Sequence, residues 1–192
     1  MLFRLGLDSL ESHGLIAIRP RVSNVELIEF IAKAKRRLFI LTPWLGFVEP
    51  TVLEQIFKEK ASIKGFSLKI ILLHPDSMFL KKRAEVVFGS GTSGAYQSKK
   101  TLLILRNAFR LIQSNLVEVR TYDSLPSVFI VQCDDRALLG LHLNTGKTFA
   151  NPHFEIRILN DDEKTTTLGG MIEDEFTKLS TMHFRVESIL RV

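Results

Sequence analysis

Short apolar segments alternate with amphipathic helical segments along much of the chain, and this order constrains the fold more than any other feature. Residues 37–42, 66–73 and 115–122 each have the composition of a buried strand, and helical patterns lie between them. Buried strands that are joined through helices pair in parallel. The order predicts an α/β domain with a mixed, mainly parallel sheet that is flanked by helices.

The second half of the chain departs from this alternation. Residues 127–132 and 136–143 have the pattern of two strands in a hairpin, with Asp134 and Asp135 at the turn, where Asp is a preferred residue. A further strand is predicted at 154–158 and a final helix at 169–183. Residues 1–22 form an N-terminal extension with a short helical and an extended pattern. We expect residues 1–192 to fold as a single domain.

Charge, hydropathy and cysteine content restrict the class of protein. The net charge of +5 and the pI of about 9.4 suit contact with a polyanion without demanding it. The sequence contains no apolar run of the length that crosses a bilayer, so we expect no membrane span. The beginning of the chain is a poor signal peptide, and the single Cys133 fits a reducing compartment. These features predict a cytoplasmic protein.

The histidines do not form a metal-binding pattern. His13, His74, His142, His153 and His183 are scattered, and none of them belongs to an H-x-x-x-H or H-E-x-x-H pair. We therefore expect neither a metal site nor a cofactor.

Residues 125–144 resemble the catalytic strand pair of the phospholipase D superfamily, whose motif is H-x-K-x-x-x-x-D with an Asn about ten residues after the Asp. With Asp134 on the motif Asp, Asn144 falls on the Asn, Ser127 on the nucleophilic His and Phe129 on the phosphate-binding Lys. The family's chemistry needs an imidazole to attack phosphorus and a cation to hold the phosphoryl oxygens. Since Ser127 and Phe129 supply neither, the resemblance implies a fold whose activity has been lost.

Other segments extend the resemblance over most of the chain, to about residues 13–158. They are residues 13–21, 35–45, 68–77 leading into Arg83, and 119–126. Gly140 falls one residue early for the family's Gly-Ser step, so that loop departs from the pattern. Active members pair two motifs within one chain or across a dimer, and this chain has one candidate site. The resemblance therefore implies a mixed, mainly parallel sheet and a homodimer.

Polar residues near the hairpin and after the parallel strands are the candidate ligand-binding residues. His142, Asn144 and Lys147 follow the hairpin and, with Asp134, are predicted to line the remnant of the cleft. One interpretation is an anion pocket. Another is a relocated catalytic set of His142, Lys147 and Asp134.

Two further candidates, Trp44 and His74, follow predicted parallel strands, where ligands meet such sheets. Trp44 offers a ring for stacking, although a half-buried core position is the other interpretation. His74 is either a functional group or a loop cap.

The sequence thus favours a catalytically inactive, phospholipase D-like sensor or interaction domain in bacterial regulation or defence. Its ligand is expected to be a phosphate-bearing small molecule, a nucleic acid or a partner protein. The alternatives are a nuclease or phosphodiesterase that uses the relocated set across a dimer, and a structural dimerisation module without a ligand.

Overall fold

The computed structural model describes residues 10–46, 49–109, 116–125, 127–142 and 151–158, together with positions 170, 172, 174 and 177. The elements in chain order are β1 (Leu15–Arg19), α1 (Asn24–Ala32), β2 (Arg37–Thr42), α2 (Pro50–Ser62), β3 (Ser67–Leu73), α3 (Met78–Phe88), α4 (Thr92–Phe109), β4 (Val117–Tyr122), β5 (Val128–Cys133), β6 (Arg136–Leu141) and β7 (His153–Arg157).

The strands within the described residues form one sheet in the order β1-β7-β6-β5-β2-β3-β4. The pairs β2–β3 and β3–β4 are parallel. The pairs β2–β5, β5–β6, β6–β7 and β1–β7 are antiparallel. The expected mixed α/β sheet with flanking helices is confirmed, but among these pairs the antiparallel arrangement predominates.

Chain connectivity explains this balance. The parallel strands are those that follow a helical crossover, as the alternation predicted. The turn at Asp134 and Asp135 is too short for a crossover, so β5 and β6 pair antiparallel. The extended part of the predicted N-terminal extension becomes the edge strand β1, which adds a further antiparallel pair with β7.

Apolar side chains cover both faces of the sheet, which explains why the sequences of the strands are continuously hydrophobic. On one face, residues of β2, β3 and β5 pack against α1, α2 and α4; this cluster includes Leu38, Ile40, Ile70, Val131, Leu27, Phe57 and Leu105. On the other face, Leu41, Ile71, Tyr122 and Ile130 pack with Leu80 of α3 and Ile172.

Local sequence signals set the beginnings of α1 and α3. The backbone N–H of Glu26 donates to Ser23 Oγ at 3.2 Å, and the Ser23 N–H donates to the Glu26 carboxylate at 2.8 Å. Together these two hydrogen bonds form a capping box. The Ser77 hydroxyl accepts a hydrogen bond from the Phe79 N–H at 3.1 Å, so Ser77 is the N-cap of α3. Ser77 thereby fixes where α3 begins, directly after the end of β3.

Candidate functional site

The strand directions bring several polar residues to one edge of the sheet. β2, β3, β4 and β6 end at this edge, and β5 and β7 begin there. We call it the carboxyl edge and define it by Trp44, His74, Ser127, His142 and His153. The ends of parallel strands are a common place for ligand sites.

The two motif positions on β5 differ from each other in environment. Ser127 is exposed, and its carbonyl oxygen accepts a hydrogen bond from the His142 N–H at 2.9 Å. Phe129 is 1% exposed, and its ring meets the His153 imidazole edge-on, with the ring centroids 6.1 Å apart. A packed aromatic ring therefore occupies the position that the resemblance aligns with a lysine.

His142 is held in its neutral form. The pKa of its imidazole is lowered to about 3, mainly by burial and then by the nearby Arg83 and His153, while a hydrogen bond with the Val128 backbone opposes this only partly. Burial disfavours the charged form of an imidazole, and a neighbouring cation has the same effect. At neutral pH, His142 is therefore an uncharged group and a weak base.

His153 is a second imidazole at the carboxyl edge, and it is 0% exposed. Its Nδ1 lies 2.8 Å from the Asn151 carbonyl oxygen, which can only accept, so Nδ1 carries the proton. Burial lowers the pKa of His153, and the hydrogen bond to Asn151 opposes this only partly. Its Nε2 faces Gly140, where a Cβ would come within 2.8 Å of that nitrogen.

Arg83 brings a cation to the carboxyl edge from α3. It is 7% exposed, and desolvation by burial lowers the pKa of its guanidinium. It lies near enough to His142 to lower the pKa of that imidazole. The buried residues of α3 are Leu80, Arg83 and Ala84, so this arginine occupies the apolar face of the helix.

Trp44 and His74 both lie at the carboxyl edge and are half-buried. The Trp44 ring packs against Phe88 of α3 at a centroid distance of 5.5 Å. The His74 imidazole accepts a hydrogen bond from the Asp76 N–H at 3.2 Å. This bond is the loop-capping contact that was one of the two interpretations of His74.

Asp134 lies at the opposite edge of the sheet. Residues 133 and 136 pair beside the turn, whereas residues 128 and 141 pair at the far end of the hairpin. Six strand residues separate the turn from His142, which corresponds to roughly 20 Å. The prediction that Asp134 and His142 line one cleft is therefore wrong, because a hairpin places its turn and its open end at opposite edges. Asn144 and Lys147 lie outside the described residues.

The carboxylate of Asp134 holds the loop between α1 and β2. It accepts hydrogen bonds from the backbone N–H groups of Lys35 at 2.9 Å, Arg36 at 2.8 Å and Arg37 at 3.0 Å. Burial alone would raise the pKa of Asp134, but these three donors outweigh it and the pKa is lowered. Asp134 also has a φ of 54°, a left-handed conformation that Asp tolerates better than most residues. Its role in the structure is to join the hairpin turn to the neighbouring loop.

Two features are absent from the described residues. They contain no group of three or more His, Cys, Asp or Glu side chains that could hold a metal ion. None of the helices in the same residues has the length and apolar character needed to cross a membrane.

Comparison with known proteins identifies the fold. No family model matches the chain, and no curated protein matches it. Among solved structures it is similar to phosphatidylserine synthase of Haemophilus influenzae Rd KW20, a phospholipase D superfamily member, with a TM-score of 0.56 and 18% identity. The match covers 85% of this chain and 36% of that one. The fold is phospholipase D-like.

A second similar structure is that of TrmBL2, an archaeal chromatin protein, with a TM-score of 0.42 and 13% identity. The match covers 85% of this chain and 51% of that one. The chain thus spans about half of the length of one of these two proteins and about a third of the other.

Two residues at the carboxyl edge, Arg83 and His153, were not among the candidate ligand-binding residues that the sequence predicted. Arg83 belongs to the run Lys81-Lys82-Arg83, whose sequence allows either a solvated helix face or a contact with phosphate. Its spacing of three from Leu80 and its position next to Ala84 were the available signal, because these positions share the apolar face of a helix. His153 belongs to no sequence motif, and its pairing opposite Gly140 in the structure places it at this edge.

Proposed function

We propose that this domain binds a phosphate-bearing ligand at the carboxyl edge and does not hydrolyse it. The observation that carries the proposal is the burial of Arg83 beside His142 at the end of the sheet. A guanidinium binds a phosphate group with bidentate geometry, and two neutral imidazoles, His142 and His153, lie at the same edge.

Three features argue against hydrolysis at this edge. Ser127 and Phe129 stand where the resemblance expects the nucleophile and the cation. His142, with a pKa near 3, is a poor proton acceptor at neutral pH. Asp134, which the relocated catalytic set requires, has its carboxylate engaged by three backbone N–H groups at the opposite edge. The same reasons weigh against a nuclease or phosphodiesterase.

The proposed setting is a cytoplasmic sensor or interaction module in bacterial regulation or defence, acting as a homodimer or through a partner protein. A buried, unreactive Cys133, whose thiol pKa is raised by burial, suits a reducing compartment. The homodimer rests on the family's use of paired motifs.

Calorimetric titration with inorganic pyrophosphate and with AMP tests the binding site. We expect Arg83→Met to weaken binding about tenfold or more, since a hydrogen bond to a charged group contributes about 1.5–3 kcal/mol. Lys82→Met is the matched control, because it removes the neighbouring exposed cation of the same helix. Arg83→Lys keeps a positive charge at the site and is expected to lose less affinity than Arg83→Met. Comparison of these two variants separates the effect of the lost charge from the effect of altering a buried side chain.

Incubation of the same proteins with bis(p-nitrophenyl) phosphate tests the absence of hydrolysis. We expect no release of nitrophenol above the buffer rate. Turnover that His142→Ala abolishes would overturn the non-catalytic proposal. Equal affinities of Arg83→Met and Lys82→Met for both phosphate compounds would overturn the assigned site.

A further inference from the structure

The outward face of α4 is basic along its length. Residues 86–117 contain no Asp or Glu, and α4 lies within this acid-free segment with Lys99, Lys100 and Arg106. Spacings of three and four place its exposed residues on one side of the helix. We call this surface the basic stripe, and it consists of Tyr96, Lys99, Lys100, Leu103, Arg106 and Asn107.

The side chains of the basic stripe are available to a partner. Tyr96 is 64% exposed and Leu103 is 56% exposed. Among the residues that the structure describes, no carboxylate forms an ion pair with Lys99, Lys100 or Arg106. The positive charge of the stripe is therefore compensated by solvent ions, which a polyanion would release on binding.

The opposite side of α4 fixes the helix against the carboxyl edge. Thr101 Oγ1 accepts a hydrogen bond from the Leu45 N–H at 3.0 Å, and the Gln97 side chain packs against Gly46. Ser98 is 0% exposed, with its hydroxyl 3.4 Å from the Leu73 carbonyl oxygen. The basic stripe is thus a rigid surface, about 16 Å long from Tyr96 to Asn107 at the rise of an α-helix.

We propose that the basic stripe binds a single-stranded nucleic acid, with Lys99, Lys100 and Arg106 on successive phosphates and Tyr96 stacked on a base. An exposed tyrosine beside cations is the combination that single strands require, since every base has a face for stacking. A membrane-binding helix needs a broad apolar face, and this stripe has one leucine and one tyrosine among basic and amide side chains. The surface is separate from Arg83 and does not rest on the proposed phosphate site.

Fluorescence anisotropy with a short labelled oligodeoxythymidine, over about 50 to 200 mM salt, tests this proposal. The triple variant K99A/K100A/R106A is expected to bind at least tenfold more weakly at low salt. Its log–log salt slope should be shallower by about 2, since each phosphate contact of a single strand contributes about 0.7. The variant K35A/R36A/K64A removes two lysines and an arginine from exposed positions elsewhere, and it is expected to bind like the unmodified protein.

Substitution of Tyr96 separates stacking from charge. We expect Tyr96→Ala to weaken binding about fivefold or more and Tyr96→Phe to retain it, because phenylalanine keeps the aromatic face. The altered side chains are exposed, and equal thermal unfolding midpoints will show that the variants remain folded.

Three outcomes would overturn the proposal. They are absence of oligonucleotide binding by the unmodified protein, equal losses in the two triple variants, and binding to phosphatidylglycerol vesicles but not to the oligonucleotide. Retained oligonucleotide binding by Arg83→Met would support the independence of this surface from the phosphate site.

Discussion

Asp134 shows how one side chain can link two parts of the fold. Its carboxylate accepts hydrogen bonds from three consecutive backbone N–H groups that precede and begin β2. Because a carboxylate accepts such bonds more strongly than a neutral group does, its charge contributes to stability and not only its shape. The position also has a positive φ, which any replacement must tolerate.

We predict that Asp134→Asn lowers the free energy of unfolding by about 1.5–3 kcal/mol at pH 7, the usual contribution of a hydrogen bond to a charged group. Asn tolerates the left-handed conformation as well as Asp does, so the change isolates the charge. Denaturant titrations of both proteins measure the difference.

The pH dependence of this difference follows from the lowered pKa of Asp134. Folding lowers the pKa of this carboxyl group below its unfolded value of about 3.9. The contribution of the charged carboxylate to stability is therefore fully present above about pH 3.9 and is lost as the pH falls through the folded pKa. The two proteins should therefore converge in stability as the pH is lowered below about 4. A difference that is independent of pH would contradict the electrostatic explanation.

At the scale of elements, the contact between β6 and β7 requires a glycine at position 140. Gly140 pairs with His153 in the register of the two strands, and the buried imidazole occupies the space that a Cβ at position 140 would need. Phe129, opposite Gly140 on β5, also contacts the imidazole, with the two rings edge-on and their centroids 6.1 Å apart. The imidazole therefore cannot move aside without disturbing packed residues.

We predict that Gly140→Ala destabilises the protein by about 1–3 kcal/mol, the usual cost of overpacking a core. His153→Ala alone is also destabilising, because it leaves a cavity. The double variant should be more stable than the sum of the two changes implies, since removal of the imidazole makes room for the new methyl group. Thermal unfolding of all four proteins measures this coupling, and additive effects would contradict the proposed clash.

Sequence patterns predicted most elements but not how all of them pair. The expected strands at 37–42 and 66–73 correspond closely to Arg37–Thr42 and Ser67–Leu73, because continuous apolar runs identify strands buried on both faces. The antiparallel pairing of β2 with β5 joins residues that are distant in sequence, and no local pattern records it. The separation of Asp134 from His142 did follow from the hairpin that the sequence predicted.

At the scale of the whole molecule, an ionic cluster ties the edge strand β1 to the sheet. The Glu155 carboxylate of β7 is 3% exposed and accepts hydrogen bonds from Arg19 of β1, through Nε at 3.0 Å and Nη2 at 2.6 Å. Arg136 of β6 donates to its other oxygen. The cluster lines a cavity of about 370 Å³ at the side of the sheet facing α1. Three strands thus share one buried negative charge.

This sharing predicts a strongly non-additive pair of substitutions. Arg19→Met or Arg136→Met alone leaves Glu155 with one guanidinium, and each is expected to destabilise the protein only modestly, since both arginines are nearly half exposed. The double variant leaves a buried carboxylate without a cation, and the expected loss is about 3–5 kcal/mol. Adding Glu155→Gln to the double variant should restore part of the stability, because the buried group is then neutral.

Denaturant unfolding and hydrogen exchange of the β1 amides measure these effects. Small, additive losses would mean that solvent already compensates Glu155 and that β1 is held by its backbone pairing with β7 alone.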